Sequence, residues 1–177
     1  MPWVVFLRGV NVGGHNRFQP KLLAGELSHL GMVNIGAAGT FVVREKISEE
    51  RVRAEILSRL PFVPDVMICP AYAILEGARG NPFRTEAISS EVRAFVTVLA
   101  KAPAKVLRLP LYAPVRVNWE VKIVQVKGTC VFSLWRRRGT NPLYPNEVIE
   151  KHFAVAATTR SWNTLEKIVR ILTDPPS

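Results

Sequence analysis

Short apolar runs alternate along this chain with breaks rich in glycine, proline and asparagine, and their spacing shifts repeatedly between strand-like and helix-like. Residues 3–8 read as a buried β-strand, followed by a Gly/Asn loop through Asn16. Pro20 stands where a helix favours proline at its first position, and Leu22, Leu23, Leu27 and Leu30 follow at helical spacing. Gly31 supplies the stop. Two apolar runs, 32–35 and 41–43, flank Gly36-Ala37-Ala38-Gly39-Thr40 and predict a hairpin. Ser48 can cap a second helix, Glu49 and Glu50 suit its N-terminal dipole, and Val52, Ile56, Leu57 and Leu60 form its stripe. Residues 66–68 supply a fourth strand, so the order is β-α-β-β-α-β.

Residues 77–86, with Gly80 and Pro82, read as a linker. A strand is predicted over 92–99, and the proline-bearing stretch 101–114 reads as irregular with one short helical turn. Over 115–126, Val115, Val117, Trp119, Val121 and Ile123 share one face of a strand, and the alternation slips at Ile123-Val124, as a β-bulge requires. Lys127-Gly128-Thr129 is a turn into a strand over 130–135. Pro145 opens a helix carrying Val148, Ile149 and Phe153; Val155-Ala156 reads as a short strand. Trp162, Leu165, Ile168, Val169 and Leu172 mark a terminal helix stopped by Pro175-Pro176. The expected fold class is α+β: two ferredoxin-like βαββαβ-type subdomains, 1–80 and 81–177, the second ending in a C-terminal helix. Gly39-Thr40 and Gly128-Thr129 open their strands alike, a slender sign of duplication.

Composition fits this picture. Of 177 residues, 48% are hydrophobic and 21% charged, a balance that buries a core instead of leaving the chain disordered. No apolar run approaches the ~20 residues that span a bilayer, and the N-terminal run reads as a strand instead of a signal peptide, so no membrane partner is expected. Cys69 and Cys130 share no close-spaced motif and read as reduced core thiols of a cytoplasmic protein. His15, His29 and His152 lack ligand spacing, so no metal and no cofactor are expected.

Charge changes the picture more. Lysines and arginines number 24 against 14 acids, a net +10, which favours anionic partners unless it reflects arginine-rich usage alone. Arg136, Arg137 and Arg138 follow a strand and, with Arg116, Lys122 and Lys127, could form a basic stripe for nucleic acid. The exposed aromatic pair that RNA-binding sheets use is not evident in the sequence.

Two polar segments stand out. Residues 7–17 hold three glycines, two asparagines and two arginines between a strand and a helix. Such a loop can turn backbone N–H groups on an anion, yet it is neither GxGxxG nor a P-loop. The other reading is a structural loop whose glycines need positive φ. Near the other end runs Thr158-Thr159-Arg160-Ser161-Trp162-Asn163-Thr164, where Ser161 can cap the last helix and Trp162 anchors a core. Arg160 is ill placed for the helix dipole and calls for a carboxylate or phosphate partner.

Arg8-Gly9-Val10-Asn11-Val12-Gly13-Gly14 and the Thr158–Thr164 segment together resemble the family catalogued as domain of unknown function 1697. Its members show Arg-Gly-(Ile/Val)-Asn-Val-Gly-Gly and Thr-Thr-Arg-Asn-Trp-Asn-Thr at these places; Ile149-Glu150-Lys151 is similar to its preceding helix. Two departures are Ser161 for Asn and Ala37-Ala38-Gly39-Thr40 for a Gln-Ser-Gly-Asn turn. The resemblance implies the two-subdomain fold and no assigned reaction.

Three functional readings follow. A small anionic, phosphate-bearing ligand could sit where Arg8, Asn11, Gly13 and Gly14 meet Lys151, Thr159, Arg160 and Asn163. The basic stripe could bind nucleic acid without sequence preference. Or the motifs are structural, with Asn11 bracing its loop and Arg160 paired internally. Whether turnover occurs, which ligand is bound and how many chains assemble are open on sequence alone.

Overall fold

The computed structural model describes residues 1–174 and is a mixed α+β structure with two antiparallel sheets and five α-helices. The chain divides into two compact units, one formed by Met1–Ile74 with the segment from Lys167 onward, the other by Leu75–Glu166. These boundaries differ from a single cut at 80/81. The chain crosses between units inside α3 (Ala71–Ala78) and again inside α5 (Trp162–Thr173).

The first unit contains β1 (Trp3–Arg8), α1 (Pro20–Glu26), β2 (Met32–Asn34), β3 (Thr40–Val43), α2 (Glu49–Leu57) and β4 (Asp65–Pro70). Its sheet order is β2-β3-β1-β4. Val5 and Leu7 of β1 with Phe41 and Val43 of β3 form one apolar face, and Leu23, Leu27, Val52 and Ile56 pack with it in a single core. Fully burying each such side chain contributes roughly 1.5–3 kcal/mol. Ser48 caps α2 as its position predicts, accepting from the Arg51 N–H at 3.2 Å. Leu22 departs from the predicted stripe: it is 57% exposed, because α1 is only seven residues long and Leu23 and Ala24 take its buried face. A single 3-10 turn over Ser28–Leu30 carries the chain to Gly31, whose φ of 58° ends the turn.

The second unit contains β5 (Arg93–Leu99), β6 (Leu111–Ala113), β7 (Val121–Lys127), β8 (Cys130–Trp135), α4 (Pro145–Phe153) and β9 (Ala157–Ser161), in the order β6-β7-β8-β5-β9. Without β6 the order is β7-β8-β5-β9, the same sequence of places as in the first sheet. Gly39 and Gly128, at φ 69° and 59°, precede strands in corresponding places. The predicted bulge is present, since the β7–β8 register shifts between Ile123 and Gln125. Val121, Ile123, Val131, Val148, Ile149 and Phe153 belong to one core.

Several elements differ from expectation. Residues 77–86 are no free linker: α3 includes Gly77 and Ala78, and Phe83 is buried against Phe132 and Trp162, at 6.1 and 5.3 Å between ring centres. Gly77 is required there, as an added Cβ would lie 3.1 Å from Phe132 Cζ. The α3 sequence, apolar apart from Glu76, has no helical period to read. Residues 115–120 form a loop instead of a strand, and the stretch before them holds β6 and no helical turn. The last short strand is β9, which begins at Ala157, immediately after Val155-Ala156. The predicted Pro175-Pro176 stop lies outside the described residues.

Candidate functional site

Arg8 ends β1 opposite Asp65 of β4 and pairs with it at 3.2 Å. Beyond it the chain folds back on itself, and two asparagines hold it. Asn11, at φ 55°, donates Nδ2–H to the Ala37 carbonyl at 2.9 Å, while its Oδ1 accepts from the Phe18 N–H at 3.0 Å. Asn16 Nδ2 donates to the Gly9 carbonyl at 3.2 Å. Gly13 and Gly14 adopt φ 59° and 82°, with open space beside the Gly13 Cα. The loop abuts the departed Ala37–Thr40 turn: Leu7 N–H donates to the Gly39 carbonyl at 2.8 Å, and a Cβ on Gly39 would lie 2.8 Å from Val10 Cγ2. Beside this junction is a hollow of about 420 Å³ whose lining includes Asn11, Phe18, Lys21, Asn34 and Ala37.

The Thr-Thr-Arg segment is β9. The Thr159 hydroxyl donates to Asn146 Oδ1 at 3.0 Å and lies 2.8 Å from the Thr97 hydroxyl. Arg160 is opposite Val96 and donates from Nη1 to Thr158 Oγ1 at 2.8 Å and to the Thr159 carbonyl at 2.9 Å. Desolvation lowers its pKa to about 10. Ser161 Oγ accepts from the Thr164 N–H at 3.3 Å, the N-cap its position predicts. Trp162 packs on Phe83 and Phe132. Asn163, with Ser89, Arg93, Phe95, Ser161 and Glu166, is among the residues lining a hollow of about 650 Å³. Lys151 is exposed on α4. Thus Arg8, Asn11, Gly13 and Gly14 belong to the first unit, whereas Lys151, Thr159, Arg160 and Asn163 belong to the second.

The basic residues of the second unit differ in their partners. Lys122 is a largely buried partner of Glu86, 2.7 and 2.8 Å from its two carboxylate oxygens. Lys127 donates to the Glu76 carbonyl and lies 3.5 Å from its carboxylate. Arg116 lies over the Tyr112 ring at 5.7 Å. Arg136 donates from Nε to the Trp119 carbonyl, and Arg138 to Asn118 Oδ1 at 3.3 Å, pinning the 115–120 loop.

Arg136, Arg137 and Arg138 line a hollow of about 510 Å³ together with Ser90, Glu91, Val92, Arg93 and Trp135. Among the described residues, Arg93 and Arg137 make neither a hydrogen bond nor an ion pair through their side chains. Trp135 is opposite Arg93 in the β5–β8 register. It donates from Nε1 to the Leu143 carbonyl at 2.6 Å and stacks on Tyr144, with ring centres 5.4 Å apart and planes 19° from parallel. Sequence reasoning singled out none of Ser90, Arg93, Trp135 and Tyr144. An arginine beginning a strand is a faint signal, and only strand register brings it to Trp135.

Among the described residues no three His, Cys, Asp or Glu side chains gather as metal ligands, and no helix is long and apolar enough to cross a membrane. Cys69 and Cys130 are both buried.

No curated protein matches the sequence. A conserved bacterial protein of Streptococcus pneumoniae has a similar structure, with a TM-score of 0.60 at 14% identity over 97% of this chain and 98% of that one. At that identity the likeness concerns the fold alone. The family model described as protein of unknown function (DUF1697) matches residues 1–132, which include the Arg8–Gly14 loop and the Ala37–Thr40 turn. With most of its length so matched, the chain belongs to the DUF1697 family of proteins of unknown function.

Proposed function

We propose that this protein binds a phosphate-bearing ligand in the hollow lined by Arg93, Arg136, Arg137 and Arg138. One observation carries the reading: among the described residues none of these four guanidinium groups has a carboxylate partner within ion-pair distance. Like charges gathered in this way repel one another, and a bound phosphate relieves that repulsion while accepting paired N–H donors. Glu91, which also lines the hollow, offsets one charge only. Arg136 and Arg138 are anchored through the 115–120 loop, whereas Arg93 and Arg137 are free to turn toward a ligand.

The same ligand class motivates the set Arg8, Asn11, Gly13, Gly14, Lys151, Thr159, Arg160 and Asn163. Support for that set is weaker, because Asn11 and Thr159 already use their side chains in internal hydrogen bonds. The order β-α-β-β-α-β and the sheet order β2-β3-β1-β4 support a ferredoxin-like reading of the first unit. In the second unit that reading has partial support, since no helix joins β5 to β7. Cys69 and Cys130 are buried and share no close-spaced motif, which supports a cytoplasmic reading.

A thermal-shift series with pyrophosphate, sugar phosphates and oligonucleotides tests the site. At about a hundred times its Kd a ligand stabilises the fold by roughly 2.7 kcal/mol, which the double variant Arg93→Ala/Arg137→Ala should abolish. Shifts that persist in that variant, or no shift with any phosphate, overturn the assignment.

A further inference from the structure

We infer that the arginine hollow recognises a phosphate attached to a nucleobase, with Trp135 and Tyr144 as the stacking platform; this rests on the phosphate reading above. The indole of Trp135 is fixed on three sides. Its Nε1–H is bound to the Leu143 carbonyl, the Phe95 ring meets it at 6.1 Å and 80°, and Tyr144 covers one face nearly in parallel. Tyr144 remains 47% exposed, and Trp135 itself lines the arginine hollow.

Phosphate alone gains nothing from a rigid two-ring aromatic stack. A flat base does, because stacking on an aromatic ring strengthens binding by roughly tenfold or more per base. Arg93 joins the two parts, standing opposite Trp135 in the sheet and lining the hollow beside Arg137. The arrangement therefore offers cations for a phosphate in a hollow that Trp135 also lines, with the exposed Tyr144 ring stacked on that indole for a base. A free nucleotide and a segment of single strand present the same chemistry.

Calorimetric titration of the full chain with ribose 5-phosphate, adenosine 5′-monophosphate and an eight-residue oligothymidylate separates these cases. The nucleotide should bind at least tenfold tighter than ribose 5-phosphate; Tyr144→Ala should remove that difference and Tyr144→Phe preserve it. Equal affinity for the two ligands in the unmodified chain overturns the base platform and leaves the phosphate site standing. Binding of neither, nor of the oligomer, overturns both. Where the nucleotide outbinds ribose 5-phosphate, an oligomer that binds tighter still, with affinity falling steeply with salt, supports the inference and identifies the source as single-stranded nucleic acid. A nucleotide that binds as well as the oligomer supports it and identifies the source as the free molecule.

Discussion

The guanidinium carbon of Arg136 lies 4.2 Å from the centre of the Trp119 ring, and the same side chain donates a hydrogen bond to the Trp119 carbonyl. One arginine thus grips both ring and backbone of the 115–120 loop, with Nη2 reaching the Val117 carbonyl at 3.5 Å. Desolvation, then the neighbouring Arg138, lowers its pKa. Arg136→Ala should cost about 1–2 kcal/mol and expose the loop to protease. Arg136→Lys should recover little, because an ammonium cannot stack flat and reach two carbonyls together. Urea unfolding and limited proteolysis measure both effects.

Gly39 and Gly13 share a positive φ and differ in surroundings. A Cβ on Gly39 would lie 2.8 Å from Val10 Cγ2 and 2.9 Å from Leu7 Cβ, whereas nothing lies within 4 Å at Gly13. Gly13→Ala should therefore cost about 1 kcal/mol of backbone strain, and Gly39→Ala about 1–3 kcal/mol more through overpacking. Equal losses in a denaturant titration would contradict the close approach of loop and turn.

Ser133 is fully buried in β8, and its hydroxyl has no hydrogen-bond partner among the described residues. A buried unpaired hydroxyl costs about 1–3 kcal/mol of desolvation. Ser133→Ala should leave stability unchanged or raise it by up to about 1 kcal/mol, seen as a higher denaturation midpoint at constant m-value.

Lys122 and Glu86 are 17% and 19% exposed, and the pair is stable only together. Glu86→Gln strands a cation in a largely dry place and should cost about 2–4 kcal/mol. The double variant Glu86→Gln/Lys122→Met should be less damaging than Glu86→Gln alone. A double-mutant cycle with no coupling would remove the pair from the list of stabilising contacts.

His152 has a pKa below its ordinary 6.5, through burial first and then the charges of Lys105 and Lys151. The unfolded chain takes up this proton more readily, so stability should fall as pH drops through the ordinary histidine range. His152→Gln should flatten that slope, and Lys105→Ala should raise the midpoint followed by NMR.

Parts of this architecture can be read directly from residue spacing. Ser48 and Pro145 mark helix starts where helices begin, and the slip at Ile123-Val124 marks the bulge in β7. The identical alternation at 115–119 misleads. Pro114 has no N–H to give a ladder, and Arg136 takes carbonyls that a strand would need. Asn11 is legible as a polar residue in an unusual loop, but its partners, the Ala37 carbonyl and the Phe18 N–H, depend on how the chain returns. Arg93, Trp135 and Tyr144 were illegible as a group because register and stacking, not spacing, unite them.

The second unit is one unbroken stretch, Leu75–Glu166, whereas the first is assembled from both sides of it. Within the first unit, Arg44 Nη2 reaches the Ile171 carbonyl at 3.3 Å. On the ribosome, the whole second unit is therefore synthesised before Ile171 exists. The N-terminal sheet must wait through that interval with its last contacts unmade, so chaperone dependence or aggregation of stalled chains should trace to the part of the protein that is translated first.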